Sequence, residues 1–303
     1  MSSILTNTAA MTALKNLQAT NMALQDTQNR ISTGLKVNSA SDNAGYWSIA
    51  TTMRSDKSAL ETVNSALGVG NSAVGTAYNG VNSAITVAQK LKDQLTAAAQ
   101  SGADRTKIQS QITQYQQQLQ SIADSSNFNG QNILSVDSSA SSYNTTSSIM
   151  SSYTRSSSGV SIGTIDINVT NTKLFDSNDQ SGILDKNIGS GSVSVKTLDI
   201  SALTDSAADQ TTLKGLIDGV DAAISSMTTA GANLGAVQSR IKDQQTFITS
   251  LTDSLSTGIS SLVDADMTTE STKLQALQVQ QQLGTQALSI ANQSSQSILK
   301  LFQ

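Results

Sequence analysis

In the C-terminal half of the chain apolar positions recur alternately three and four residues apart: Ile217, Val220, Ile224, Met227, Gly231, Leu234, Gln238, Ile241, Gln245, Ile248, Thr252, Leu255, Ile259 and Leu262. Only Gly, Gln and Thr interrupt the register. Sustained over residues 217–262, this spacing predicts a coiled coil rather than a globular surface helix. The N-terminal part answers with Leu14, Leu17, Asn21, Leu24, Gln28, Ile31 and Leu35, and again with Leu60, Val63, Leu67, Gly70, Val74, Ala77, Val81, Ala84, Ala88, Leu91 and Leu95. A further stripe runs through Ile108, Ile112, Tyr115, Leu119 and Ile122. Helices are therefore expected over about 5–33, 45–100, 105–124, 206–260 and 268–300, with Ser101-Gly-Ala-Asp104 as a stop followed by an N-cap signal.

The middle has no such period. Residues 128–205 read as irregular with some strand: Val160, Ile162, Ile165, Ile167 and Val169 alternate in part with period two, and Val193-Ser-Val195 repeats the hint. The Ser-rich stretch 135–158 reads equally as a flexible linker. The expected fold is mainly α: long antiparallel coiled-coil helices built from both chain ends, with a small β-containing outer domain inserted in the middle. Residues 1–42 and 264–303 are expected to form an inner terminal-helix domain, 43–137 and 206–263 a coiled-coil domain, and 138–205 a variable, surface-exposed outer domain.

The last helix carries the most information about partners. At 100° per residue Leu274, Leu277 and Leu288 share one face, while Val279, Leu283, Ile290 and Leu301 fall nearly opposite. A helix apolar on two sides must be buried on two sides. The N-terminal helix can cover one of them, so the other predicts packing against further subunits, at a gross gain of about 1.5–3 kcal/mol per fully buried Leu or Ile. Leu14, Leu17, Leu24, Ile31, Leu274, Leu277, Leu283, Leu288, Ile290, Ile298 and Leu301 are the expected polymerisation interface.

Composition removes most other functions. The 303 residues include no His and no Cys, so the commonest general base, the most reactive nucleophile and the usual zinc ligands are all missing. No catalytic, cofactor or metal site is expected. No disulfide can form, and cysteine usage therefore indicates no redox compartment. Proline is also absent, which suits long uninterrupted helices. A formal charge of −4 with 13% charged residues supplies no basic field for nucleic acid or an anionic membrane, and neither is expected as a partner. The N-terminal stretch from Met1 to Asn16 has neither a basic n-region nor a continuous apolar h-region. It is not expected to act as a cleavable signal peptide.

Several motifs together resemble bacterial flagellin. N-terminally these are Ile4-Leu5-Thr6-Asn7, Asn16-Leu17, and the run from Arg30 through Gly34, Asn38, Ala40 and Asp42 to Gly45; then comes Asn127-Phe128-Asn129-Gly130. C-terminally they are Leu234-Gly-Ala-Val-Gln-Ser-Arg-Ile241, Asp264-Ala-Asp266-Met267, Gln281-Gln-Leu-Gly284 and Ala291-Asn-Gln293. The resemblance covers roughly 1–135 and 206–303. Tyr46-Trp47, where small or aliphatic residues are common, and Ser294-Ser295, where proline often sits, depart from it.

The resemblance implies a secreted subunit, exported unfolded by the flagellar type III apparatus and polymerised into the extracellular filament that serves as a passive helical propeller. Its implied partners are copies of itself, alone or with sibling flagellins, together with an export chaperone, cap and junction proteins. A hook–filament junction protein of the same family is the alternative. Residues of the family that contact an innate-immune receptor align with Gln94, Ala98 and Gln118, so weak recognition is expected.

Smaller features admit competing readings. Asp264, Asp266 and Glu270 read as helix caps in preference to a cation site. Asp176-Ser-Asn178-Asp179 reads as a turn, since Ser181 and Asn187 stand where a calcium loop needs Gly and Glu. Asn144-Thr-Thr and Asn168-Val-Thr match the N-glycosylation pattern, but O-linked sugar on the outer region is preferred. Gly70, Gly231, Gln238 and Gln245 read either as imperfections tolerated at exposed turns or as a device that keeps helix packing marginal, so that the filament can switch between helical shapes.

Overall fold

The computed structural model describes residues 7–157, 159–188 and 192–301, for 294–301 the backbone alone. Its elements are α1 (Thr8–Thr33), α2 (Ala44–Ala98), α3 (Arg105–Ser125), β1 (Ser135–Val136), β2 (Thr146–Ser156), β3 (Gly159–Asn168), β4 (Phe175–Asp176), α4 (Ala207–Val263) and α5 (Met267–Leu301). The fold is mainly α, with helices at both chain ends and strands confined to the middle. Two compact units result: residues 1–57 with 252–303, and residues 58–251. Residues of α2 and α4 are divided between them.

In the larger unit α2 and α4 form an antiparallel pair. Gly68 lies against Gln245, Gly75 against Gln238, Tyr78 against Gly235, and Asn82 against Gly231, so position numbers rise on one helix as they fall on the other. Lys92 Nζ reaches Asp221 at 2.7 Å in the same register. The seam residues of the 3-4 pattern are buried, among them Leu67, Val74, Val81, Leu91 and Leu95 on α2 and Val220, Met227, Leu234, Ile241 and Ile248 on α4. Gly70 and Gly231 stand inside these helices and are buried, which corrects the reading of them as imperfections at exposed turns.

Helix α3 starts where Asp104 Oδ1 accepts from the Lys107 N–H, after Gly102 has turned the chain with φ +78. Its Ile112, Leu119 and Ala123 are buried. The following turn is set by backbone signs: Asn129 and Gly130 have φ +51 and +83, and Phe128 and Gln131 exchange backbone hydrogen bonds at 2.9 and 3.0 Å. Two successive positive φ values are what a type I′ turn requires, and Asn-Gly is the dipeptide that adopts them most readily.

The middle segment is not a linker. Strand β2 occupies 146–156 and pairs antiparallel with β3 from Thr146↔Asn168 to Ser156↔Gly159, with an irregularity between Met150 and Ser152. Strands β1 and β4 pair in parallel. Val193–Val195, read above as strand, forms no strand: Ser194 makes an isolated bridge with Asn187, the Val193 carbonyl accepts from the Ile188 N–H at 2.7 Å, and side chains of α3 reach the backbone from Val195 onward. Gln116 Nε2 donates to the carbonyls of Val195 and Leu198, both at 2.9 Å, and Gln109 Oε1 accepts from the Ile200 N–H at 3.0 Å. Amide side chains of α3 thus satisfy backbone groups that a sheet would otherwise have paired.

Candidate assembly surface

The smaller unit is built from the two ends of the chain. Helix α1 begins at Asn7, whose Oδ1 accepts from the Ala10 N–H at 3.0 Å. It ends at Gly34, whose φ of +72 lets its N–H turn back to the Arg30 carbonyl at 2.8 Å. That left-handed C-cap is the physical reason for glycine in the Arg30–Gly34 motif. Helix α5 begins at Asp266, whose carboxylate accepts from the N–H groups of Thr268 and Thr269.

Capping therefore belongs to Asp266 alone of the three acids. Asp264 accepts from the Ser260 hydroxyl. Glu270 is buried and pairs with Arg30 at 3.2 Å.

The two helices run antiparallel. Along α1, Asn7 Nδ2 donates to the Ala291 carbonyl at 3.0 Å, Leu17 lies against Gly284, Asn21 Oδ1 accepts from Gln281 Nε2 at 2.7 Å, and Arg30 meets Glu270. Where the linkers meet, the Lys36 N–H donates to the Val263 carbonyl at 2.7 Å and the Ala265 N–H to the Gly34 carbonyl at 2.9 Å. Val37, Ala50, Ile259 and Val263 form the core beneath them, with Leu35, Met53 and Leu262 packed on it. The loop that follows is tied by Asp42, whose Oδ2 accepts from the N–H groups of Asn38 and Ser39. Those bonds hold its carboxyl below the usual carboxylate range. Ala40 is exposed in that loop.

Of the residues expected to drive polymerisation, Leu277 is buried, and Leu17, Leu24, Ile31, Leu274 and Leu288 are half-buried within this unit. Leu14 is exposed, and Leu283 and Ile290 expose 59% and 67% of their surfaces, as Val279 does 54%. Ile298 and Leu301 lie outside the described side chains, and Ile4, Leu5 and Thr6 outside the described residues. The concentration is uneven along the chain. Among the described residues of this unit ten large apolar side chains are exposed: Met11, Leu14, Met22, Tyr46, Trp47, Ile49, Met267, Val279, Leu283 and Ile290. Only Val69, Val160, Ile162 and Phe247 are comparable among the described residues of the larger unit.

Chemistry elsewhere is spare. A hollow of about 690 Å³ between Gly130 and Val169 offers as titratable groups only Asp137 and Tyr143 among its described lining residues. The Asp137 carboxylate is occupied by Ser139. In the former calcium-loop candidate, Asp176 is fully buried and its oxygens accept from Lys173 Nζ at 2.6 Å, from the N–H and hydroxyl of Ser138, and from the Asn178 N–H. Burial alone would raise its pKa, but those donors prevail and hold the carboxyl far below the ordinary range. Asp185 beside it accepts from the Asp176 N–H at 2.8 Å, yet burial outweighs that bond and the Lys196 ammonium 3.7 Å away and raises its pKa. This is a structural ion-pair cluster: every polar atom of Asp176 already has a protein partner.

Two chain ends folded into one helical unit, with large apolar side chains left exposed on both α1 and α5, are the architecture of a structural protein that associates with itself. Comparison with known proteins agrees. A family model for the bacterial flagellin N-terminal helical region matches residues 4–139, and one for the bacterial flagellin C-terminal helical region matches 217–302. The chain is 43% identical to "Flagellin C" of Rhizobium meliloti strain 1021, 39% to "Flagellin A" of the same strain, and 41% to "Flagellin" of Brucella melitensis biotype 1; each comparison spans all of both chains.

A crystal structure of Bacillus cereus flagellin is similar at 19% identity with a TM-score of 0.38, covering 63% of this chain and 88% of that one. The chain belongs to the bacterial flagellin family, whose members are structural subunits of the extracellular flagellar filament. No helix among the described residues is long and apolar enough to cross a membrane.

Proposed function

We propose that this chain polymerises through the unit made by its two ends, with the outer faces of α1 and α5 buried by neighbouring copies, and that the resulting polymer is the helical propeller for swimming. The carrying observation is the exposure of Val279, Leu283 and Ile290 on the side of α5 opposite Leu274, Leu277 and Leu288. Each would contribute about 1.5–3 kcal/mol on full burial, a gain that a monomer forgoes. In the filament, residues 1–42 with 264–303 would form the inner layer, 43–137 with 206–263 the surrounding one, and 138–205 the exposed outside.

The subunit would reach the growing tip unfolded through the type III apparatus, assisted by chaperone, junction and cap proteins. Long helices without proline or disulfides suit a chain that is threaded and refolds. The family's receptor-contact positions fall on half-buried Gln94, buried Ala98 and exposed Gln118, which supports weak innate-immune recognition.

The test is negative-stain electron microscopy of purified chain mixed with short filament seeds, beside a variant carrying Val279→Ser, Leu283→Ser and Ile290→Ser. Long filaments from the parent and none from the variant support the reading. Short rings from the parent would favour the junction-protein alternative, and filaments from the triple variant would remove α5 from the interface.

A further inference from the structure

The first turns of α2 present an apolar patch that the fold of the monomer does not use. Tyr46, Trp47 and Ile49 expose 47%, 37% and 51% of their surfaces, while Ala50 on the same helix is buried and Met53 packs on the core of Val37, Ile259 and Val263. The core is thus closed by Ala50 and Met53, and the larger side chains turn away from it. In a chain with one Trp, five Tyr and four Phe, two adjacent aromatics on the surface are a concentrated deployment of scarce bulk.

They are also held firmly. Asn43 Oδ1 accepts from the Tyr46 N–H at 3.1 Å, its carbonyl accepts from the Trp47 N–H at 2.9 Å, and the preceding loop is fastened by Asp42 to Asn38 and Ser39. An aromatic pair fixed on a rigid helix loses little conformational freedom on binding, which is the property of interface residues whose removal costs most.

We propose that Tyr46, Trp47 and Ile49 form an aromatic anchor for a second copy of this chain, in which Trp47 becomes buried on polymerisation. The inference rests on the polymerising role above. A second copy is the occupant because the patch belongs to the unit that also leaves α1 and α5 uncovered, so an identical subunit brings apolar surface of the same chemistry.

Trp47 is the only tryptophan, so its emission reports on this patch alone. The experiment follows fluorescence and acrylamide quenching of the full chain as it elongates from a small fraction of seeds, beside Trp47→Ser and Trp47→Phe variants whose monomers are compared by circular dichroism. A blue shift with several-fold weaker quenching in the filament is expected, together with a critical concentration raised at least tenfold in Trp47→Ser and much less in Trp47→Phe. Filaments in which Trp47 stays as quenchable as in the monomer would overturn the anchor and leave the polymerising role intact. Failure of the parent chain to elongate at all would overturn both. Should Trp47→Ser not fold, the emission of the parent decides alone.

Discussion

Gly70 of α2 lies directly beneath Ile149 of β2: a Cβ on Gly70 would stand 2.5 Å from Ile149 Cγ2 and 2.9 Å from its Cδ1. The hairpin is seated on the helix at a place where the helix has no side chain. Gly231 differs, for a Cβ there would meet Val81 Cγ1 at 3.6 Å and Asn82 Oδ1 at 3.8 Å, both ordinary contacts. Gly70→Ala should therefore destabilise the monomer by about 1–2 kcal/mol net, overpacking outweighing the gain in helix propensity. Gly231→Ala should stabilise by up to about 1 kcal/mol. Denaturant unfolding of both variants checks the pair, and equal shifts of the same sign would refute the distinction.

The two glycines occupy equivalent places in the hydrophobic pattern, and this marks where sequence reading stops. The seam itself was legible because each of its residues answers to a period within its own helix, and the two-sided character of α5 followed from angular arithmetic alone. What Gly70 serves comes from a segment without period, nearly eighty residues away, whose approach no local pattern encodes. The same holds for Gly80, where a Cβ would collide with Ser126 and Leu134, and for Gly219 beneath Ile188. Arg30 was visible as a motif residue, but its partner Glu270 was read as a cap because charge near a helix start has that meaning locally. Val193–Val195 misleads for a related reason: the alternation is real, but the Val193 carbonyl is taken by the Ile188 N–H, the Ser194 N–H by the Thr197 hydroxyl and the Val195 carbonyl by Gln116 of α3, rather than by a neighbouring strand.

Lys173 and Asp176 are both buried, at 2.6 Å from each other. Burial favours the neutral amine, but the Asp176 carboxylate outweighs it and holds the Lys173 pKa above its ordinary value. Removing one partner strands the other, so Lys173→Met should cost about 3–5 kcal/mol. Adding Asp176→Leu should not restore that stability in full, because the N–H groups of Ser138 and Asn178 then lose their acceptor. A double-mutant cycle by thermal unfolding reads this directly, and complete recovery in the double variant would contradict it.

Asp205 fastens the turn between α2 and α3 to the segment before α4. Its carboxylate accepts from the Gly102 N–H at 2.9 Å, from Arg105 Nη2 at 2.6 Å and from the Ser101 hydroxyl at 3.0 Å, and these donors, in company with the Arg105 charge, lower its pKa. A carboxyl whose folded pKa is depressed contributes stability that is present above its unfolded pKa and lost as pH falls through the folded one. Asp205→Asn should therefore lower stability at pH 7 and flatten its decline on acidification below the ordinary carboxylate range. Unfolding midpoints at pH 7, 5 and 3 test the slope, and parallel profiles for parent and variant would exclude Asp205 as a contributor.

Thr27 is fully buried in α1, yet its hydroxyl oxygen finds no hydrogen-bond partner among the described protein atoms, and neither does Glu270 Oε2. A buried polar atom left unpaired costs about 1–3 kcal/mol, whereas an apolar group of the same shape costs nothing of the kind. Thr27→Val keeps the branched shape and removes the oxygen. It should raise the stability of the helix pair by about 1 kcal/mol, visible as slower amide hydrogen exchange along α1 and α5 in the monomer. If exchange instead quickens, the Thr27 hydroxyl has a partner within the folded chain and contributes to holding the helix pair together.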